Sequence, residues 1–311
     1  LSSGVKSIME SNAVDLDSYL VENSKVILEN AMIEQWSAVR KESNYLNSVL
    51  SDLLKEQRAD IEKFTKDKEL QKEYTQRVFP ELLESLRRDT TCGVFLVMAN
   101  DQPIGAPGDF TGFFLRDSDP VTKVDTNSDL LLERGDKTLA RQWGITLDNS
   151  WSPAFRFQGK GIRESDDFFY EPYTAGMAHT GVDMASLGYW SMPFILEDYE
   201  MDNHKMITYS VPLVNDGVIY GVVGTEVSVS YLCNTYFRVQ DLNRQQTAGY
   251  AIAVDNGDGT YENIAGKGNL YDAVQRENGI FKLESTKHED LFKVKDSKIG
   301  TQEIYALFSK M

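Results

Sequence analysis

From Val5 to Phe79 the chain contains neither glycine nor proline. These two residues end helices most readily, so their absence predicts one very long helix followed by a second. Leu16, Leu20, Ile27, Ala31, Val39, Leu46, Val49, Leu50 and Leu53 recur near helical spacing, with Lys, Glu, Ser and Asn on the other faces. A helix from Ser3 to Arg58 would run about 80 Å at about 1.5 Å per residue. No compact small domain needs that length. It fits a spine alongside two stacked modules, or a dimer contact. The alternative is a pair of helices broken near Lys41–Ser43.

Beyond the spine the pattern changes to short elements. Asp60–Arg88 reads as one or two shorter helices, with Pro80 at a bend or a new start. Cys92–Ala99 (CGVFLVMA) is the first strand. Gly112–Arg116 (GFFLR) is another, set in a Gly-, Pro- and Asp-rich loop over Asn100–Asp129. Leu130–Trp143 reads as a short helix. Gly144–Glu200 is irregular and crowded with aromatics, and loops of that length in compact domains usually carry function. Tyr231–Asn243 reads as a connecting helix. A second module opens with the strand Gly249–Val254 and turns at Asp255-Asn256-Gly257-Asp258-Gly259. It returns over Thr260–Ile264, then passes a short helix near Leu270–Glu277 to a strand at Glu303–Phe308. That module is short, and its last strands are expected beyond Met311.

Composition excludes more than it identifies. The 311 residues are enough for two modest cores, and 41% hydrophobic content places the chain among folded proteins. A formal net charge of −16 disfavours nucleic acid, whose phosphates need basic patches. It also disfavours flat docking on anionic lipid. Cys92 and Cys233 read as two buried free thiols, with a disulfide between them as the alternative. His179, His204 and His288 show no metal spacing. The acidic turn at 255–259 lacks the closing glutamate of a calcium-binding loop and reads as a plain hairpin turn. No metal or cofactor is expected. No apolar run approaches the ~20 residues that cross a bilayer.

The richest local pattern is Ile207–Leu232 (ITYSVPLVNDGVIYGVVGTEVSVSYL). Ile207, Tyr209, Val211 and Leu213 alternate with Thr208, Ser210 and Pro212. Asn215-Asp216-Gly217 suits the positive φ of a hairpin turn. Val218–Val229 resumes the alternation, interrupted by one carboxylate, Glu226. A charge inside an apolar strand must be exposed, paired or facing a cavity.

Pro212-Leu213, the turn, Gly221-Val222-Val223-Gly224 and Glu226-Val227-Ser228 follow the aromatic segment Tyr189-Trp190-Ser191-Met192-Pro193-Phe194. In this order, after a long helix, they resemble the double Cache family. These are PAS-like extracytoplasmic sensor regions of bacterial histidine kinases, chemoreceptors and cyclic-dinucleotide enzymes. The resemblance covers most of the chain. It implies an α+β fold in which the long helix carries two tandem modules with antiparallel sheets. The expected division is 1–88 for the helical region, 89–243 for a membrane-distal ligand-binding module and 244–311 for a membrane-proximal one. It also implies a domain on the extracytoplasmic face of the cell membrane, flanking membrane helices outside this sequence, and a homodimer in the full receptor. A histidine kinase is the leading effector by family frequency.

The amino-acid-sensing branch of that family clamps its ligand carboxylate with an Arg-x-Trp-Tyr segment. Here the matching place reads Asp167-Phe168-Phe169-Tyr170, so Asp167 stands where the arginine would be. The family's PY-x-D segment reads Pro193-Phe194-Ile195-Leu196, without its acid. The hairpin acid that takes the ligand's amino group is kept as Glu226. The resemblance therefore implies a ligand site built from Glu226, Tyr170, Phe169, Tyr189, Trp190, Phe194 and Tyr209, with Asp167 and Arg116 as further members. An acidic, aromatic pocket suits an amine or another cation, through ion pairing and cation–π contact. A neutral sugar or nucleoside stacked on Tyr189 or Trp190 is the competing ligand. Arg116 can instead neutralise Glu226 or Asp167, leaving a pocket without net charge.

No Walker loop, dinucleotide-binding glycine motif, zinc-protease motif or nucleophile elbow occurs in the sequence, so catalysis is not expected. The other readings are a structural dimerisation module that senses through a partner protein and a secreted two-carboxylate hydrolase. A transporter's solute-binding protein fits poorly with the long helix.

Overall fold

The computed structural model describes residues 3–88, 91–120, 126–179, 181–196, 205–236, 249–268, 271, 279–299 and 302–311. In chain order the elements are α1 (Ser3–Gln57), α2 (Ile61–Lys66), α3 (Lys68–Arg88), β1 (Gly93–Met98), β2 (Gly108–Phe110), β3 (Gly112–Asp117) and β4 (Leu130–Arg134). Then come α4 (Lys137–Trp143), β5 (Thr146–Ser152), β6 (Phe155–Phe157), α5 (Asp167–Ala178), β7 (Tyr189–Trp190), β8 (Met206–Asn215), β9 (Val218–Ser228) and α6 (Val229–Tyr236). Five strands follow: β10 (Tyr250–Asp255), β11 (Thr260–Lys267), β12 (Ile280–Ser285), β13 (Phe292–Ile299) and β14 (Gln302–Ala306). The α+β plan implied by the double Cache resemblance is the one observed: a long helix and two sheet-built modules.

The helix α1 is continuous over 55 residues, so the break near Lys41–Ser43 is not there. It stops where Arg58 turns to φ 49 and the Ala59 N–H bonds back to the Leu54 carbonyl, a left-handed helix end. Asp60 then caps α2 by accepting from the Lys63 N–H at 2.8 Å. Asp67 opens α3 by accepting from the Glu69 and Leu70 N–H groups. Pro80 lies inside α3 and starts no new helix. Its neighbours Val78, Phe79, Leu82 and Leu83 are all buried, and that packing offsets the missing backbone donor.

The compact units are residues 33–229 and, separately, residues 1–32 with 230–311. This division falls at 229/230, whereas the sequence suggested 243/244; residues 237–248 lie outside the described set.

The larger unit holds a seven-stranded sheet in the order β5-β4-β3-β1-β9-β8-β7. All neighbours are antiparallel except β4 and β5, which run parallel. The expected all-antiparallel sheet is thus a mixed one. The cause is local: Leu130–Trp143, read from sequence as one helix, is a strand followed by the short crossover helix α4, and a crossover makes the next strand parallel. The β8–β9 hairpin closes as expected, with Asp216 at φ 48 and Gly217 at φ 80.

Both faces of this sheet are covered. Val94, Leu96 and Met98 of β1, with Phe113 and Leu115 of β3, pack on one side against Leu46, Leu50 and Leu53 of α1 and Tyr74, Val78 and Phe79 of α3. Phe95, Val97, Phe114 and Val222 pack on the other side against Phe155, Phe157 and the start of α5. Strand alternation sends successive side chains to opposite faces, so a doubly covered strand such as GVFLVM is buried along its whole length.

The smaller unit contains a five-stranded antiparallel meander, β10-β11-β12-β13-β14. Asp255-to-Gly259 forms the expected turn, in which Asp258 accepts from the Thr260 N–H at 2.9 Å. The short helix expected near 270–277 falls almost wholly outside the described residues. The strands β12 and β13 were not anticipated. No helix among the described residues is long and apolar enough to cross a membrane.

Candidate functional site

The sheet face opposite α1 carries an aromatic layer. Asp166 sets its entrance: its fully buried carboxylate takes two hydrogen bonds from Arg163 at 2.9 and 2.6 Å and one from the Gln158 N–H at 2.7 Å. That anchor starts α5 and drives Phe168, Phe169 and Tyr170 down onto the sheet. Phe168 stacks on Phe194 at 5.5 Å and 8°. Phe169 lies between Phe157 and Tyr173, at 4.9 and 5.2 Å. The Tyr170 hydroxyl donates to the Ala106 carbonyl at 2.8 Å. Ser210 of β8 donates to the Phe168 carbonyl at 2.8 Å and so ties α5 to the hairpin. Gly176 lets α5 approach closely, since a Cβ there would stand 2.9 Å from both Pro212 and Ile219 side chains.

Along the same face runs a buried polar row. Gly93 of β1 pairs with Arg116 on one side and with Glu226 on the other. Directly paired residues share a face, so Arg116 and Glu226 flank a position with no side chain. Glu226 leans into that gap: a Cβ on Gly93 would fall 2.4 Å from its Oε2. Arg116 is held by Glu133 of β4 at 2.8 Å and Asp148 of β5 at 3.1 Å. Thr208 of β8 sits opposite Glu226 and is fully buried. Burial pushes the Glu133 carboxyl up to about 7; Arg116 opposes the shift, and the nearby charges of Glu226 and Asp148 add to it. Burial likewise lifts the Cys92 thiol to about 12, so it stays protonated at neutral pH. Cys233 is a free, half-buried thiol, less buried than the sequence suggested.

The structure thus gathers part of the sequence-derived set. Phe169, Tyr170 and Phe194 belong to one aromatic layer, and Glu226 and Arg116 lie in the row on the same face. Tyr189 pairs with Ser210 and shares that face, half-buried. Asp167 is the first residue of α5 and only partly buried. Trp190 and Tyr209 do not join them. Tyr209 is one residue from Thr208, the partner of Glu226, so alternation points it to the α1 side. There its ring meets Trp190 at 4.9 Å. Arg116 meets two acids that the sequence reading did not put beside it, Glu133 and Asp148.

A second group of residues was missed from sequence. The Ala185 carbonyl, in the turn between α5 and β7, accepts from Tyr209 of β8 and from Trp36 of α1, both at 3.3 Å. Arg40 of α1 pairs with Asp183 of the same turn at 3.1 Å and lies 5.7 Å over the Trp36 ring. The hairpin's far end is tied as well: Tyr220 donates to Asn47 at 2.9 Å and Asn215 to Ser51 at 2.8 Å. The sequence signal for this group was a lone tryptophan, Trp36, within the long helix.

No group of three or more His, Cys, Asp or Glu among the described residues is arranged to hold a metal ion. A surface depression of about 760 Å³ at the start of α3 is lined by Asp60, Glu62, Lys63, Lys66 and other charged side chains. It touches none of the aromatic layer, and its open, mixed-charge lining is that of a solvated surface.

No family model and no curated protein matches the chain. Among solved structures it is similar to the sensory domain of the Campylobacter jejuni chemoreceptor Tlp3 with isoleucine bound, at 12% identity and a TM-score of 0.46, covering 98% of this chain and 91% of that one. The Tlp3 ligand-binding domain in complex with L-valine gives the same figures. The extracellular domain mmHK1S-Z3, described as that of a histidine kinase, gives 15% identity and a TM-score of 0.39 over 92% of this chain and 89% of that one. Superpositions this loose fix neither ligand nor activity.

Proposed function

We propose that this region is a non-catalytic small-molecule sensor module of a membrane signalling protein, displayed on the extracytoplasmic side and read out through α1 by a cytoplasmic effector, with a histidine kinase as the leading candidate. The supporting observation is the shared carbonyl of Ala185. It links the turn after α5 to β8 through Tyr209 and to α1 through Trp36. A ligand that shifts α5 on the sheet therefore pulls on α1 directly, and a helix carries a small displacement without bending away from it. On this reading Phe169, Tyr170, Phe194 and Tyr189 are the walls and Glu226 the charge anchor. An amine or another cation is the favoured ligand class. Trp190 and Tyr209 act as relay residues rather than walls.

A homodimer along α1 belongs to the same proposal. Leu16, Tyr19, Val26 and Ile33 are 47, 69, 45 and 59% exposed on that helix, at steps of three and seven.

A second reading is favoured by burial. Phe169, Tyr170 and Glu226 are 0, 1 and 0% exposed, as in a module whose pocket has closed for good and which senses through a partner. A thermal-shift panel of amines, amino acids, sugars, nucleosides and organic acids separates the two. A ligand at a hundred times its dissociation constant adds about 2.7 kcal/mol of stability. A cationic hit that disappears in Glu226→Gln supports direct sensing. A hit among organic acids rejects the cation, and silence across a well-folded panel favours the closed module.

A further inference from the structure

The turn between β10 and β11 takes no part in the sensor reading. In it Asn256 is followed by Gly257, whereas every other asparagine among the described residues is followed by a residue that carries a side chain. Asn256 and Gly257 are exposed, and a Cβ built on Gly257 meets nothing within 4 Å, so the space beside its nitrogen is open. Gly257 stands at φ 79, where a side chain would be strained. Hydrogen bonds fix the groups around it. The Asn256 N–H donates to the Thr260 carbonyl at 3.1 Å, and its side-chain amide donates to the Thr260 hydroxyl at 3.0 Å. That hydroxyl donates in turn to Asp258 at 2.5 Å. The Gly257 N–H donates to Asp255 Oδ1 at 2.9 Å. A backbone nitrogen, the side-chain carbonyl carbon of the residue before it and a carboxylate on its proton therefore share one solvent-facing turn. The other charges facing this turn are Lys310, 4.0 Å from Asp255 Oδ2, and Lys282, whose charge reaches Asp258.

We propose that Asn256-Gly257 is a self-modification site, at which the chain converts Asn256 to aspartate and isoaspartate with Asp255 as the assisting base. The Gly257 nitrogen attacks the Asn256 side-chain carbonyl carbon and closes a five-membered succinimide. The bond that forms joins nitrogen to carbon; the bond that breaks held the side-chain nitrogen, which leaves as ammonia. The Gly257 proton passes through the Asp255 carboxylate and departs with that ammonia, so the carboxylate is regenerated. One water then opens the ring, and no oxidant or further reactant is needed. Opening at the side-chain carbonyl gives aspartate. Opening at the main-chain carbonyl gives isoaspartate, which runs the backbone through the side chain and adds one carbon to the turn. A turn lengthened in this way no longer matches the pairing of Asp255 with Tyr261, whose ring stacks on Phe281 at 5.6 Å. Both products add a negative charge beside Asp255 and Asp258.

The test is peptide mapping by mass spectrometry of the whole chain after incubation between pH 6 and 9, as wild type, Asp255→Ser, Asp255→Glu and Gly257→Ala. The map separates Asn256 from Asn278-Gly279, the second such pair in the sequence. In the wild type the mass gain of an amide turned acid should accumulate at Asn256, with isoaspartate as a second form of the same peptide. Asp255→Ser keeps a side-chain acceptor for the turn but removes the base. It should slow the conversion on the order of tenfold, less than a fully enclosed general base would contribute. Its rate should also depend more steeply on pH, because hydroxide must replace the built-in carboxylate. Asp255→Glu should restore part of the rate, and Gly257→Ala should bring Asn256 down to the level of the other asparagines. A wild type in which Asn256 stays intact, or an Asp255→Ser chain with the same rate and pH profile as the wild type, overturns the proposal.

Discussion

The two sheets of this chain, one mixed with a single parallel pair and one antiparallel throughout, differ most in how they are covered. In the seven-stranded sheet, β1 and β3 are buried at every position and β9 at all but its first. In the five-stranded sheet, β10 and β12 have no buried position, and Ala265, Val294 and Ile304 are its described buried apolar residues. In the first sheet a polar side chain cannot reach water, so the Arg116 guanidinium and the Glu133 and Asp148 carboxylates must stabilise one another. In the second, charges such as Lys293 and Glu303 meet at 2.6 Å on an exposed face, where an ion pair is worth little. A charged residue is therefore informative in one sheet and ordinary in the other.

Six substitutions and one titration can break or sharpen that contrast. The largest effect is expected from Phe95→Ala. Phe95 is fully buried against Phe114 and Phe168, and its loss should cost about 3–5 kcal/mol in chemical denaturation of the larger unit. The half-buried Phe281 of the second sheet should cost about 1–2 kcal/mol on the same change. Equal costs would mean that the second sheet gains cover not seen here. Next comes Arg116→Ala, which strands Glu133 and Asp148 as buried charges and should cost about 3–5 kcal/mol at pH 8. The cost should shrink on acidification, because a protonated Glu133 no longer needs the guanidinium.

The pH dependence of the wild type is the third expectation. Glu133 is raised from 4.5 to about 7, so the folded state holds a proton that the unfolded state has already released in this window. Its stabilisation is fully present below about pH 4.5 and lost as pH rises through about 7, by on the order of 1–3 kcal/mol. Asp117, raised to about 6 mainly by burial, contributes with the same sign over a lower window, from 3.8 upward. Unfolding midpoints of the larger unit should therefore fall between pH 5 and 8, and Glu133→Gln should flatten the upper part of that fall. Trp36→Phe should cost only about 1 kcal/mol, the worth of its one hydrogen bond to Ala185, while uncoupling α1 from the turn. Smallest of all, Lys293→Ala should stay within about 0.5 kcal/mol.

Much of the fold was legible because its rules are local. A run without glycine or proline gave α1, and Asp216-Gly217 between alternating apolar strands gave the β8–β9 hairpin. The sites needed information that is not local. Glu133 was hidden because Leu130–Trp143 has the apolar density of a helix, and only the sheet's hydrogen bonding pulls its first half into β4. Tyr209 was placed beside Glu226 for want of register. Once Thr208 is known to face Glu226, period-two alternation removes Tyr209 from that face. The strands β12 and β13 (IFKLES and FKVKDSKI) were passed over because lysines and acids alternate with their apolar residues. That is what a sheet with one open face looks like. The Trp36–Ala185–Tyr209 node joins residues far apart in sequence, and nothing local announces it.

Central to this account is the claim that the aromatic face and α1 move together. The most direct measurement is amide hydrogen exchange across α5, the 183–187 turn and residues 33–45 of α1, with and without the panel compound that gives the largest thermal shift. Coupled sensing predicts that protection rises in α5 and α1 together, and that Trp36→Phe confines the change to α5 without abolishing binding. Protection limited to α5 in the wild type, or spreading to α1 equally well in Trp36→Phe, would contradict it.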